Sequence, residues 1–189
     1  MAFYHRTAGY CKLYGPPVAG KVLIMAAEQH GNDVAMEQLE PQPVLSIRAT
    51  VQIVDLVQAQ DDRLRALSSY LQQCGAQLAG PPFMRYHTFT QTETDLELGI
   101  PVVAPIAGEG RIAAGELSGG PAISTWHIGP HDTLAEAYAR MQAWLKEHGR
   151  EPAGAPWEVY YWIDPTQYRG AATWPDSSSW RTQLIQPIK

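Results

Sequence analysis

The sequence predicts an α+β fold: two βαββ units forming one antiparallel-rich curved sheet, with two helices on one face and a ligand cleft on the other. Three observations predict it. The second half of the chain repeats the first, each half passes from strand to helix to strand periodicity, and the aromatic residues are weighted toward Trp and Tyr.

The repeat is read by superposition. "GAQLAGPPFMRY" (Gly75 to Tyr86) lies over "GREPAGAPWEVY" (Gly149 to Tyr160), 74 positions on, with Gly, Ala-Gly, Pro, an aromatic and Tyr in register. The same offset sets Tyr70 on Trp144, Leu71 on Leu145, Leu67 on Met141 and Val51 on Thr125. One element later "ELGIPV" resembles "QLIQPI", placing Leu98 over Leu184 and Pro101 over Pro187 at an offset of 86. The second unit therefore carries twelve extra residues in its last hairpin, within "PTQYRGAATWPDSSSW". A single helix cannot cover a three-stranded sheet, so two units side by side bury more, with both helices on one side.

The elements follow in order. Residues 1–43 are turn-rich and aperiodic, which reads as an irregular N-terminal extension holding one short strand at Val22–Met25. The domain itself is expected over 44–189, with repeat one at about 44–104 and repeat two at about 110–189. Leu45, Ile47, Ala49, Val51 and Ile53 alternate at period two, which predicts a long half-buried strand. Leu64, Leu67, Leu71 and Cys74 share one helical stripe with acids before it and Gly75 after it, which predicts a helix near 61–74. "FMRYHTFT" and "DLELGIPV" predict a hairpin around "QTET", and a second helix is expected near 132–148.

Composition narrows the function classes. A net charge of -5, with scattered Lys and Arg, argues against nucleic acid as a direct partner. The apolar run Val22 to Ala27 falls far short of the ~20 residues of a membrane span. Two cysteines, Cys11 and Cys74, are too few for a disulfide framework and point to a cytoplasmic setting. Six Trp and nine Tyr beside three Phe suggest rings that face something partly polar, such as a ligand.

Several local patterns carry no chemistry. "GPPVAGKV" (Gly15 to Val22) lacks the Ser or Thr of a phosphate loop, and Pro16 and Pro17 remove N–H donors. "GEGRIA" (Gly108 to Ala113) is followed by no helix and reads as a Gly-rich connector. His127 and His131 are separated by Gly129-Pro130, so they share no helix and read as hydrogen-bonded structural histidines; no metal or cofactor is expected. Cys74 reads as a core residue, not a nucleophile.

"PWEVYYWID" (Pro156 to Asp164) is the most informative stretch. Alternation puts Trp157, Val159, Tyr161 and Ile163 on one face and Glu158, Tyr160, Trp162 and Asp164 on the other. The first, more apolar set is expected to face the helices. The second offers a carboxylate beside a phenol and an indole, and a carboxylate among aromatics must be paired or protonated. A cationic aromatic ligand supplies that pairing charge, with cation–π attraction added.

"GPPFMRYH", "DLELGIPV", "HIGPHDTLAEAY", "PWEVYYWIDP" and "WRTQLIQPI", in this order, resemble the GyrI-like (gyrase-inhibitor-like) effector-binding domain over about residues 44–189. That domain also closes bacterial multidrug-responsive activators of the MerR and AraC classes. The resemblance implies a duplicated βαββ fold with a ligand cleft between the halves. It implies too that the Glu of the "E-x-Y" strand, here Glu158, meets cationic or lipophilic drugs. Position 131 is His where the pattern is usually Gly-Pro-Tyr, and residues 1–43 are too short and irregular for a helix-turn-helix, so the chain resembles the stand-alone members.

The expected function is promiscuous binding of lipophilic, aromatic, often cationic small molecules by Glu158, Tyr160, Trp162, Tyr86, Met84 and Trp126. The alternative is a hydrolase that opens cyclopropane-bearing DNA-alkylating natural products in the same cleft, with Glu158 as base and Tyr160 or Tyr86 as hydrogen-bond donor. The family name alone implies a third role, with gyrase as a protein partner.

Overall fold

The computed structural model describes residues 33–189. Most of the extension, including the expected strand at Val22–Met25, lies outside the described residues. Eight strands form one sheet: β1 (Ala35–Leu39), β2 (Gln42–Gln52), β3 (Phe83–Phe89), β4 (Glu93–Pro101), β5 (Ala113–Leu117), β6 (Gly120–Ile128), β7 (Trp157–Tyr160) and β8 (Arg181–Pro187). Their spatial order is β1-β6-β8-β7-β3-β4-β2-β5, and every neighbouring pair is antiparallel. Helix α1 (Leu56–Gln73) follows β2 and helix α2 (Leu134–Glu147) follows β6. The expected α+β duplication is therefore present, as β2-α1-β3-β4 and β6-α2-β7-β8.

The two units meet at β3 and β7, where Phe83 pairs with Val159, Met84 with Glu158, and Arg85 with Trp157. These pairs are reciprocal under the 74-residue offset, so a pseudo-twofold axis passes through Met84 and Glu158. The offset does not hold in the first strand. Ile47 pairs with Leu98, while Thr125 pairs with Leu184. Thr125 is thus the counterpart of Ile47 and not of Val51. The four residues of difference lie in the helices, since α1 has 18 residues and α2 has 14. Four residues are one helical turn, so the buried stripe stays in phase and Leu67 and Leu71 still match Met141 and Leu145. Both helices close alike: Gly75 and Gly149 take left-handed φ of 62° and 60°, and the next N–H, of Ala76 or Arg150, reaches back to Leu71 or Leu145.

The sheet begins before the expected boundary at residue 44. β1 pairs along β6, while β5 pairs along β2, so each unit lends its first strand to the outer edge of the other. Neither strand has a legible alternation. In β1 the half-buried positions are Ala35, Glu37 and Leu39, and Glu37 is retained by a hydrogen bond from Ser124. In β5 only Leu117 is buried. The Gly-rich connector thus contains a strand where none was expected.

Both helices lie on one face. Thr125, Leu184, Glu158, Met84, Leu98 and Ile47 form one row across the sheet. α1 packs Leu64, Leu67 and Leu71 on one half of this face, with Ile47, Met84 and Leu98. α2 packs Leu134, Ala137, Met141 and Leu145 on the other half, with Ile123, Leu184 and Ile188. Cys74 is half-buried against the α1 core. The face without helices is not left open. Curling of the sheet brings Leu117 of β5 and Leu39 of β1 over Val44, Phe83, Ala122, Trp157 and Ile185, a third core.

Candidate functional site around Glu158

Glu158 lies on the helix-bearing face, the reverse of the side expected. Trp157 is in the third core with Val159 beside it, whereas Tyr160 and Ile163 belong to the α1 core. The alternation stops short of Trp162: β7 ends at Tyr160, and a turn closed by Ile163 N–H to Tyr160 O returns Ile163 to the side of Tyr160. Counted only within the strand, Trp157 and Val159 need no helix to bury them.

The carboxyl is 3 % exposed. Oε1 accepts from the Tyr138 hydroxyl at 2.8 Å, and Oε2 accepts from the Tyr160 hydroxyl at 2.7 Å. The Tyr86 hydroxyl is a hydrogen-bond neighbour of Tyr160. No cation stands against Glu158 among the described residues. Burial therefore pushes the carboxyl up to about 7, against the opposing pull of the two phenols that favour the anion. The same burial, with the Glu158 charge nearby, pushes the Tyr86, Tyr138 and Tyr160 phenols upward, so all three stay protonated donors at neutral pH.

Beside the carboxyl stands a cluster of rings. Trp162 and Trp180 stack face to face at 3.9 Å and 4°. Trp174 stands edge-on to both. His131 lies against Tyr160, Trp162 and Trp180, with Nε2 at 3.2 Å from Thr182 Oγ1. Burial, aided by His127, pulls the His131 imidazole down to about 4, so it is neutral near pH 7. His127 is hydrogen-bonded to the Pro130 carbonyl. Three of these rings, Trp162, Trp174 and Trp180, come from the longer connection between β7 and β8. Tyr168 and the Ala171 N–H tie that connection to Asp61 of α1 at 2.6 and 2.9 Å.

Of the six expected ligand residues, the structure brings five together. Met84 and Glu158 are cross-strand partners, Tyr160 and Tyr86 flank the carboxyl, and Trp162 stands beside the Tyr160 ring at 5.7 Å. Trp126 is not among them. It alternates with Thr125 and so lies on the opposite face, against Tyr161 at 4.9 Å and under Arg181 at 5.0 Å. Sequence reasoning missed Tyr138, His131, Trp174 and Trp180. Tyr138 had a legible signal, because a phenol at i+4 from Leu134 on the apolar stripe requires a buried partner.

Two cavities, of about 570 and 320 Å³, lie away from the carboxyl. The larger sits between α1 and the segment Pro165–Arg169, and the smaller lies beside Arg85 and Trp157. Around Glu158 the Tyr138 and Tyr160 hydroxyls close on the carboxyl, with Tyr86 and Trp162 beside Tyr160.

A profile of the GyrI-like small molecule binding domain matches residues 32–189. The chain belongs to the GyrI-like family. Its fold is shared with the EcmrR C-terminal domain (TM-score 0.69, 23 % identity, covering 83 % of this chain and 97 % of that one). In the EcmrR–DNA complex the chain spans 57 % of the EcmrR chain. It is also similar to SAV2435 bound to tetraphenylphosphonium (TM-score 0.53, 12 % identity, 83 % and 94 % covered) and to a hydrolase from Listeria innocua (TM-score 0.52, 11 % identity, 84 % and 92 % covered). No protein of curated function matches. The likenesses agree with the family profile on the fold, whose first residue at 32 agrees with the inclusion of β1 in the sheet.

Proposed function

We propose that this GyrI-like domain binds lipophilic aromatic cations, with Glu158 as the counter-charge and the surrounding rings as the stacking surface. The observation that carries the reading is a buried carboxyl with no cation against it among the described residues. Ionising Glu158 in the absence of a ligand is opposed by burial. A ligand cation relieves it and adds cation–π attraction from Tyr160 and Trp162. Recognition by ring faces and one charge tolerates many shapes, which fits binding of several compounds. The tetraphenylphosphonium carried by SAV2435 is a ligand of this chemical kind.

The test is tetraphenylphosphonium affinity in the parent and in Glu158→Gln. Loss of a buried charge partner should weaken the cation by roughly 1–3 kcal/mol. Equal affinity in the two proteins contradicts the reading. One observation favours a second reading. A carboxyl near 7 between two phenol donors is poised for general acid or base work on a cyclopropane-bearing alkylator. In that case Glu158→Gln should abolish ring opening while leaving substrate binding nearly intact.

A further inference from the structure

We infer that the Trp162–Trp180 stack is a slot for flat fused-ring ligands, so that the site prefers planar cations over globular ones of equal charge. This rests on the proposed cation-binding function and specifies its ligand class.

The two indoles are parallel within 4° and 3.9 Å apart, the spacing of two stacked aromatic systems with nothing between them. The rings around the stack are set edge-on: Trp174 at 81° and 84°, His131 at 68° and 69°. The geometry is a box with two flat faces and perpendicular walls. Its inner end is Tyr160, whose hydroxyl holds Glu158 and whose ring centroid is 5.7 Å from that of Trp162.

One face of the box is fixed and the other is releasable. Trp162 and Trp174 pack against the α1 core, whereas Trp180 belongs to none of the three cores among the described residues. The Trp180 backbone is held, its carbonyl accepting from Gly129 N–H, but its indole N–H donates only within its own loop, to the Pro175 carbonyl at 2.9 Å. Rotation about the side-chain bonds of Trp180 opens the stack with the loss of that hydrogen bond and of its ring contacts with Trp162, Trp174 and His131, and leaves the sheet undisturbed. A flat ring then restores both faces of stacking, which a tetrahedral arrangement of phenyl groups cannot do.

The box belongs to one unit only. The β3–β4 connection of the first unit is a tight turn between Phe89 and Glu93, while β7 and β8 are joined by the residues between Tyr160 and Arg181. The slot therefore lies on the Glu158 side of the pseudo-twofold axis, and the Met84 side has no equivalent.

The experiment compares ethidium with tetraphenylphosphonium, two lipophilic monocations that differ in shape, in the parent, Trp180→Ala and Trp180→Phe, with folding confirmed by circular dichroism. The parent should bind ethidium about tenfold more tightly than tetraphenylphosphonium. Trp180→Ala should abolish that preference by weakening ethidium, and Trp180→Phe should restore most of it. A parent without preference for ethidium, or a preference that survives Trp180→Ala, overturns the slot but leaves the cation-binding function standing. Failure of the parent to bind either cation overturns both.

Discussion

Glu158→Gln should change the pH dependence of stability in a direction set by burial. The carboxyl is pushed from its ordinary 4.5 to about 7. At roughly 1.4 kcal/mol per pH unit, keeping it ionised in the empty site costs about 3 kcal/mol. Between pH 4.5 and 7 the unfolded chain gives up this proton while the folded chain retains it. The native state binds more protons in that window, so its stability falls as pH rises and levels off above pH 7. Gln resembles the protonated acid in shape, keeps an acceptor for Tyr138 or Tyr160, and cannot ionise. The variant should match the parent near pH 4 and exceed it at pH 8 by up to about 3 kcal/mol. For a chain of this size that is a rise in Tm of about 6–12 °C. Urea denaturation of both proteins at several pH values, without ligand, measures the difference. A difference that stays constant from pH 4 to pH 8 would refute the claim that burial holds the Glu158 carboxyl up.

Three further outcomes follow from single contacts. Tyr138→Phe removes a donor to the Glu158 carboxylate and should raise the carboxyl further, visible as an upward shift in its titration by NMR. Asp61→Ala leaves the Tyr168 hydroxyl and the Ala171 N–H without their acceptor and should cost about 1–3 kcal/mol, with faster proteolysis confined to the β7–β8 connection. Gly99→Ala sets a methyl 2.5 Å from the Phe83 ring and 3.1 Å from the Leu45 carbonyl; both lie in the sheet, so the variant should lose about 1–3 kcal/mol in thermal denaturation.

The duplication was legible because the residues that repeat are those that shape the backbone: Gly75 and Gly149 end helices, and the pair Met84 and Glu158 marks the axis. The extra turn of α1 was hidden, since four residues inserted in a helix preserve its stripe and merely displace the strand before it. β1 and β5 were illegible because edge strands with one covered face need little apolar alternation, and Glu37 occupies an inward position on the strength of a hydrogen bond. The site was half legible. Glu158, Tyr160 and Trp162 share a short segment, but the face they occupy depended on where β7 ends, which alternation does not mark. Trp126 has the right ring on the wrong face, and Tyr138 comes from a helix distant in sequence.

Proton release on binding tests the central claim most directly, because it reports on Glu158 and the cation together. Calorimetric titration with tetraphenylphosphonium in buffers of different ionisation enthalpy gives the number of protons released per cation bound. With the empty carboxyl near 7 and a cation holding it ionised, release should approach one proton at pH 6 and fall toward zero at pH 9, and Glu158→Gln should release none. Binding that releases no proton anywhere between pH 6 and pH 9, or release that survives Glu158→Gln, contradicts the account.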